Sequence, residues 1–126
     1  MHVLARIGAA LVGLFGIALG FWFYTDTAAA AASFFVEPLG NAGLATLRAD
    51  MSAFFLVSGL WAFYAAWKEY GTALLVPAAL YGIAISGRAV NLVAAGPYEG
   101  AVMPMTVEAL LVALCLFGYF KLRPVP

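Results

Sequence analysis

The feature that most constrains this chain is its set of long segments without a charge. No Asp, Glu, Lys or Arg occurs from Ile7 to Thr25, or from Met51 to Trp67. A third run goes from Tyr70 to Gly87, meets Arg88 and continues apolar to Ala95. A fourth, Gly100 to Phe120, is broken only by Glu108. A helix needs about 20 mostly apolar residues to cross a hydrocarbon core of about 30 Å. The runs predict four spans, at 5–25, 44–67, 71–94 and 102–122. Membrane-crossing strands would show shorter segments alternating with polar lumen positions. These runs are continuous and rich in Ala, Leu and Gly, so each backbone must satisfy its own hydrogen bonds as a helix. The expected fold is all-α, an integral membrane four-helix bundle, one domain over 1–126.

Composition excludes the other classes. Of the 126 residues, 66% are hydrophobic and 10% charged, against roughly half and a quarter in a soluble domain. That leaves too little polar surface to cover a soluble globule and too much apolar content for disorder. Six Lys+Arg balance six Asp+Glu, so the basic footprint of a nucleic-acid binder is missing.

The connections are uneven. Lys68-Glu69-Tyr70-Gly71 and Gly96-Pro97-Tyr98-Glu99-Gly100 read as tight turns, with Gly and Pro as punctuation. The first connection, 26–43, is longer. Asp26 or Thr27 is placed to cap a short helix, which Pro38 would end. An Ala run with Phe34 and Phe35 fits a helix lying at the membrane surface. Arg6, Lys68, Lys121 and Arg123 fall on one side of an even number of spans, with Asp26, Glu37 and Glu99 on the other. The positive-inside rule then makes both termini cytoplasmic. The first apolar stretch is longer than the roughly 7–15 residues of a signal-peptide core, so it is read as span one. Cys115 is the single cysteine. Alone in span four, it can form no intrachain disulfide and is read as a packing residue.

Ionisable side chains inside a span are costly and mark protein interiors or watery cavities. Four fall there: Arg48, Asp50, Arg88 and Glu108. At 1.5 Å per residue, Arg88 and Glu108 lie about 9 Å below the outer helix ends, and Arg48 and Asp50 about 6–9 Å below. Two cations and two anions at one level make a neutral buried set. Asn91 follows Arg88 by one turn on the same face, and Ser52 follows Arg48 likewise. Arg48, Arg88, Asn91 and Glu108 are therefore the expected walls of a polar pocket, with Asp50 as an orienting partner. In the structural reading, Arg88–Glu108 and also Arg48–Asp50 are ion pairs that hold the helices in register. Glu108 and Asp50 are the weak catalytic candidates, as a general acid/base pair. No spacing suits a metal, and no cofactor is expected. Gly16 and Gly20 form a small-xxx-small spacing for close helix packing, within the bundle or between subunits. Trp22, Phe23 and Tyr24, and Trp61, Tyr64 and Trp67, read as interfacial belts. Pro77 either kinks span three or sits in its first turn.

The segment Asn41 to Ala53 (NAGLATLRADMSA), then Gly87-Arg88-Ala-Val-Asn91-Leu-Val-Ala-Ala-Gly96 and a last helix with Glu108, resembles the bacterial four-span membrane family of the domain of unknown function 4345. Arg48-Ala49, Gly87-Arg88, Gly96 and Glu108 match its pattern. Met51-Ser52-Ala53 stands where the family has Tyr-Gly-Gly, Asn91 where it has Ser, and Ala95 where it has Asp. The resemblance implies a bacterial four-helix membrane protein and no activity. The layout is also similar to small DoxX-type proteins, at the level of architecture only.

The leading expectation is thus a small protein of the bacterial inner membrane. It would bind a small polar or lipid-like ligand at an outer-leaflet pocket, or act as an accessory subunit. Its partners would be membrane lipid, and a homo-oligomer or larger membrane complex, with no nucleic acid. The alternatives are a membrane-embedded enzyme acting on a lipid-like substrate and a purely structural subunit.

Overall fold

The structure, a computed structural model, describes residues 1–122. Those residues are helical throughout, joined by short connections. The elements are α1 (His2–Thr25), α2 (Thr27–Ser33), α3 (Gly40–Lys68), a 3₁₀ turn (Gly71–Leu74) leading into α4 (Leu75–Ala95), and α5 (Val102–Lys121). Four segments, α1, α3, the 3₁₀ turn with α4, and α5, are long and apolar enough to cross a membrane. Arg123, one of the four cations in the charge pattern, lies outside the described residues. Large apolar side chains face outward along every span, among them Leu14, Leu60, Ile83 and Leu110, as a lipid-facing surface requires.

Lipid tails give apolar helices no reason to associate, so contact has to come from close packing. Here α1 and α3 run antiparallel with their backbones touching. A Cβ at Gly16 would sit 2.6 Å from the Phe55 carbonyl oxygen and 2.7 Å from the Gly59 nitrogen. One at Gly59 would sit 2.7 Å from the Ile17 nitrogen and 2.8 Å from the Gly13 oxygen. Gly20 lies against Leu56 in the same seam. The small-residue face of span one therefore serves the bundle interior. Ala5, Ala9, Val12, Ala62 and Ala65 are fully buried, and Arg6 closes the seam by donating from Nε to the Ala66 carbonyl at 2.9 Å.

The helices α4 and α5 pack mainly on each other, and α5 also on α1. Gly71 rests on the carbonyls of Gly118 and Tyr119, and its N–H donates to the Leu122 carbonyl at 3.3 Å. Pro77 and Pro104 are both the third residue of their helices, where a missing N–H costs nothing. Between α3 and α4 the hydroxyls of Ser58 and Tyr81 share a hydrogen bond of 2.7 Å.

The first connection holds the short helix its sequence suggests, but ends it differently. Asp26 occupies the N-cap of α2 without a side-chain capping bond. The helix stops at Ser33, short of Pro38, because Phe35 turns left-handed (φ 63). The Val36 N–H then bonds back to Ala31 at 3.0 Å, the pattern of a helix C-terminal motif. Phe34 faces the bundle, packing on Phe23 at 5.4 Å and Phe55 at 5.7 Å between ring centroids. Phe23 itself is 1% exposed and so leaves the interfacial belt assigned to it. Trp22, Tyr24, Trp61, Tyr64 and Trp67 stay exposed.

At the end bearing the N-terminus, His2 and Arg6 converge on Glu69. The His2 hydrogen bond holds the Glu69 carboxyl below its ordinary value of 4.5.

The glycine seam predicts an asymmetric response to added methyl groups. Gly59→Val should destabilise the bundle by about 3 kcal/mol, since backbone on α1 must move. Gly82→Ala, where nothing lies within 4 Å of the new Cβ, should be neutral or stabilising by up to about 1 kcal/mol. Equilibrium unfolding of the detergent-solubilised protein checks both; equal effects would refute the seam.

Candidate functional site

The side chain geometry follows from where each helix begins. Arg88 lies seven residues before the end of α4, and Glu108 six residues into α5. Because the two helices are antiparallel neighbours, these positions face one another. The Arg88 Nε donates to Glu108 Oε1 at 2.9 Å. The side chains are 23% and 11% exposed, so most of the water that would hydrate either charge is gone. Among the described residues this is the pair's one hydrogen bond. Among the described residues, the Nη groups of Arg88 and the second oxygen of Glu108 have no further partner.

The pair lines a half-enclosed cavity of about 330 Å³. Phe15 and Leu19 come from α1, Phe55 from α3 and Tyr81 from α4. Met103, Pro104, Val107 and Leu111 come from α5. The end of α2 covers one side with Ser33, Phe34 and Phe35, and Gly100 completes the rim. The walls are therefore aromatic and aliphatic, with one ion pair as the main polar feature. Phe15 meets Phe55 and Tyr81 edge-on, at 6.2 and 6.1 Å, an arrangement aromatic rings favour. The Tyr81 hydroxyl is committed to Ser58, and the Ser33 hydroxyl donates to Ala30.

Of the five residues expected at a pocket, the structure brings Arg88 and Glu108 together and places the other three elsewhere. Arg48 donates from Nε to the Tyr24 carbonyl and to Thr27 Oγ1, both at 3.1 Å. It thus binds the C-terminal end of α1, where a cation meets the negative end of the helix dipole, and fastens the α1–α2 corner to α3. The helix α3 starts at Gly40, earlier than the span estimate, and at 29 residues it is about 43 Å long. Arg48 is thereby level with the end of α1. Asp50 and Asn91 are exposed and make no hydrogen bond or ion pair among the described residues. Ser52 is buried, and among the described residues its hydroxyl has no partner.

The aromatic walls escaped the sequence reading, since a Phe inside an apolar run carries no polar signal. Spacing does hold a trace. Tyr81 precedes Arg88 by seven residues, and Pro104, Glu108 and Leu111 recur at steps of four and three, each set on one helix face. Among the described residues no three His, Cys, Asp or Glu gather as a metal site. Comparison of the chain with protein-family models, with curated proteins and with solved structures finds no match.

The pair predicts a characteristic double-mutant cycle. Arg88→Met alone leaves Glu108 buried and uncompensated and should cost about 3 kcal/mol. Glu108→Leu should cost a similar amount. Arg88→Met with Glu108→Leu should recover most of the loss, because a well-packed apolar pair replaces the ions. Additive losses in unfolding measurements would mean that the two charges do not compensate each other.

Proposed function

We propose that this protein is a small ligand-binding membrane protein whose cavity takes a small polar or lipid-like molecule, with Arg88 and Glu108 at its polar end. The observation that carries this reading is the cavity itself. An ion pair serving only to register α4 against α5 would be expected in a dry, filled interface. This one lines a space of about 330 Å³, with hydrogen-bonding capacity unspent. Pockets that are mostly apolar with a few convergent polar groups are the usual form of small-molecule sites. Among the described residues no nucleophile stands beside a base, so binding is preferred to catalysis.

The same reading places the protein in a bacterial inner membrane, in the domain of unknown function 4345 family, with both termini cytoplasmic. Arg6, Lys68 and Lys121 gather at the end bearing the N-terminus. Asp26, Glu37 and Glu99 lie at the end covered by α2, with Arg48 as its cation. That asymmetry is the one the positive-inside rule describes.

Native mass spectrometry of the purified protein tests the binding reading. A species of defined mass should accompany the wild type and be missing from the Arg88→Met/Glu108→Leu protein. No bound species in either, or the same species in both, would overturn it. Orientation is read by a membrane-impermeant maleimide on intact spheroplasts, against which the buried Cys115 is silent. Glu99→Cys should be labelled and Lys68→Cys only after lysis; the reverse pattern would invert the topology.

A further inference from the structure

We infer that the ligand of this cavity is an electrically neutral, ring-bearing amphiphile of about a dozen non-hydrogen atoms, whose head both donates and accepts a hydrogen bond. A phenol or a ring alcohol is the simplest such group. The inference rests on the ligand-binding reading and narrows it.

Charge decides the first part. Among the described residues, Arg88 and Glu108 are the only charged ones lining the cavity, and they cancel. An anionic head drawn to Arg88 would meet the Glu108 carboxylate, whose Oε1 lies 2.9 Å from the Arg88 Nε. A cationic head drawn to Glu108 would meet the guanidinium. In a site of low dielectric the repulsion is as large as the attraction. Either ion would also give up its hydration for a cavity whose other walls are apolar, a loss of several kcal/mol. A neutral head avoids both terms.

The unspent hydrogen-bonding groups decide the second part. The Nη groups of Arg88 are donors and the second oxygen of Glu108 is an acceptor, with no other partner among the described residues. A hydroxyl answers both, since it accepts through its lone pairs and donates through its hydrogen. A ketone or ether can only accept, and would leave the carboxylate oxygen unmatched.

Shape decides the third. Phe15, Phe34, Phe55 and Tyr81 line the space and pack ring against ring, a setting that favours another ring over a flexible chain. A dry apolar cavity of about 150 Å³ takes one benzene. A space of about 330 Å³ therefore suits a ring with a substituent of similar size.

Three probes sharing one body separate the possibilities: 4-hexylphenol, 4-hexylbenzoate and 4-hexylbenzylammonium. They are added to the full-length protein in a neutral detergent, and binding is followed by native mass spectrometry and by the shift in melting temperature. The phenol should bind the wild type at least about tenfold more tightly than either ion, a difference of about 1.4 kcal/mol. Glu108→Gln should shift the preference to the benzoate, and Arg88→Gln to the ammonium. If either variant fails to fold, the wild-type ranking alone decides. A benzoate or ammonium that binds the wild type as tightly as the phenol overturns the inference and leaves the cavity a binding site. Binding of none of the three overturns both.

Discussion

The structure depends on the backbone contact between α1 and α3. In water these helices would be driven together by their apolar surfaces, but in hydrocarbon that drive is gone. What remains is dispersion over short distances, which falls steeply with a gap of even half an ångström. Glycines at 16 and 59 let the two helices approach until their backbones touch, and Gly13 admits the Phe63 ring. Once that seam is closed, the neighbouring elements have fixed surfaces to follow. The Arg6 side chain reaches the end of α3, Arg48 ties the α1–α2 corner from the other side, and α2 folds its Phe34 onto the seam's aromatic end.

The cavity is a product of the same arrangement. The helix α4 packs along α5 and meets α3 chiefly through Tyr81, and the cavity lies where α1, α3, α4 and α5 all contribute walls. An ion pair on its wall is stable there because each charge supplies what the other has lost in leaving water, and because the pair as a whole carries no net charge into the apolar interior.

Much of this could be read from the chain, and the failures are instructive. The four spans were legible because hydrocarbon sets a minimum length and tolerates few charges. Arg88 and Glu108 were legible as partners because the spans put each six residues from an outer helix end, and antiparallel neighbours turn equal offsets into contact. Arg48 was legible as an intramembrane charge but not in its partners. Its span was taken to start at 44, whereas α3 begins at Gly40, in residues polar enough to resemble a loop. The identity of its acceptors, a helix-terminal carbonyl and the Thr27 hydroxyl, depends on how α1 breaks into α2. Single-residue spacing does not encode that break. The inward turn of Phe23 was hidden likewise, since one aromatic beside Trp22 and Tyr24 looks like its neighbours until the helix is given a partner.

The glycine seam also distributes compliance unequally through the molecule. Two helices already in backbone contact cannot approach further, and separating them forfeits the contacts that made them associate. The opposite wall is different: α4 packs along α5 but meets α3 chiefly through a shared hydroxyl bond and a few ring edges. The face between α3 and α4 is therefore the one with least to lose on opening, while α1 and α3 must keep their spacing. The bundle is thus half vice and half spring, and the soft half is the one that carries Arg88.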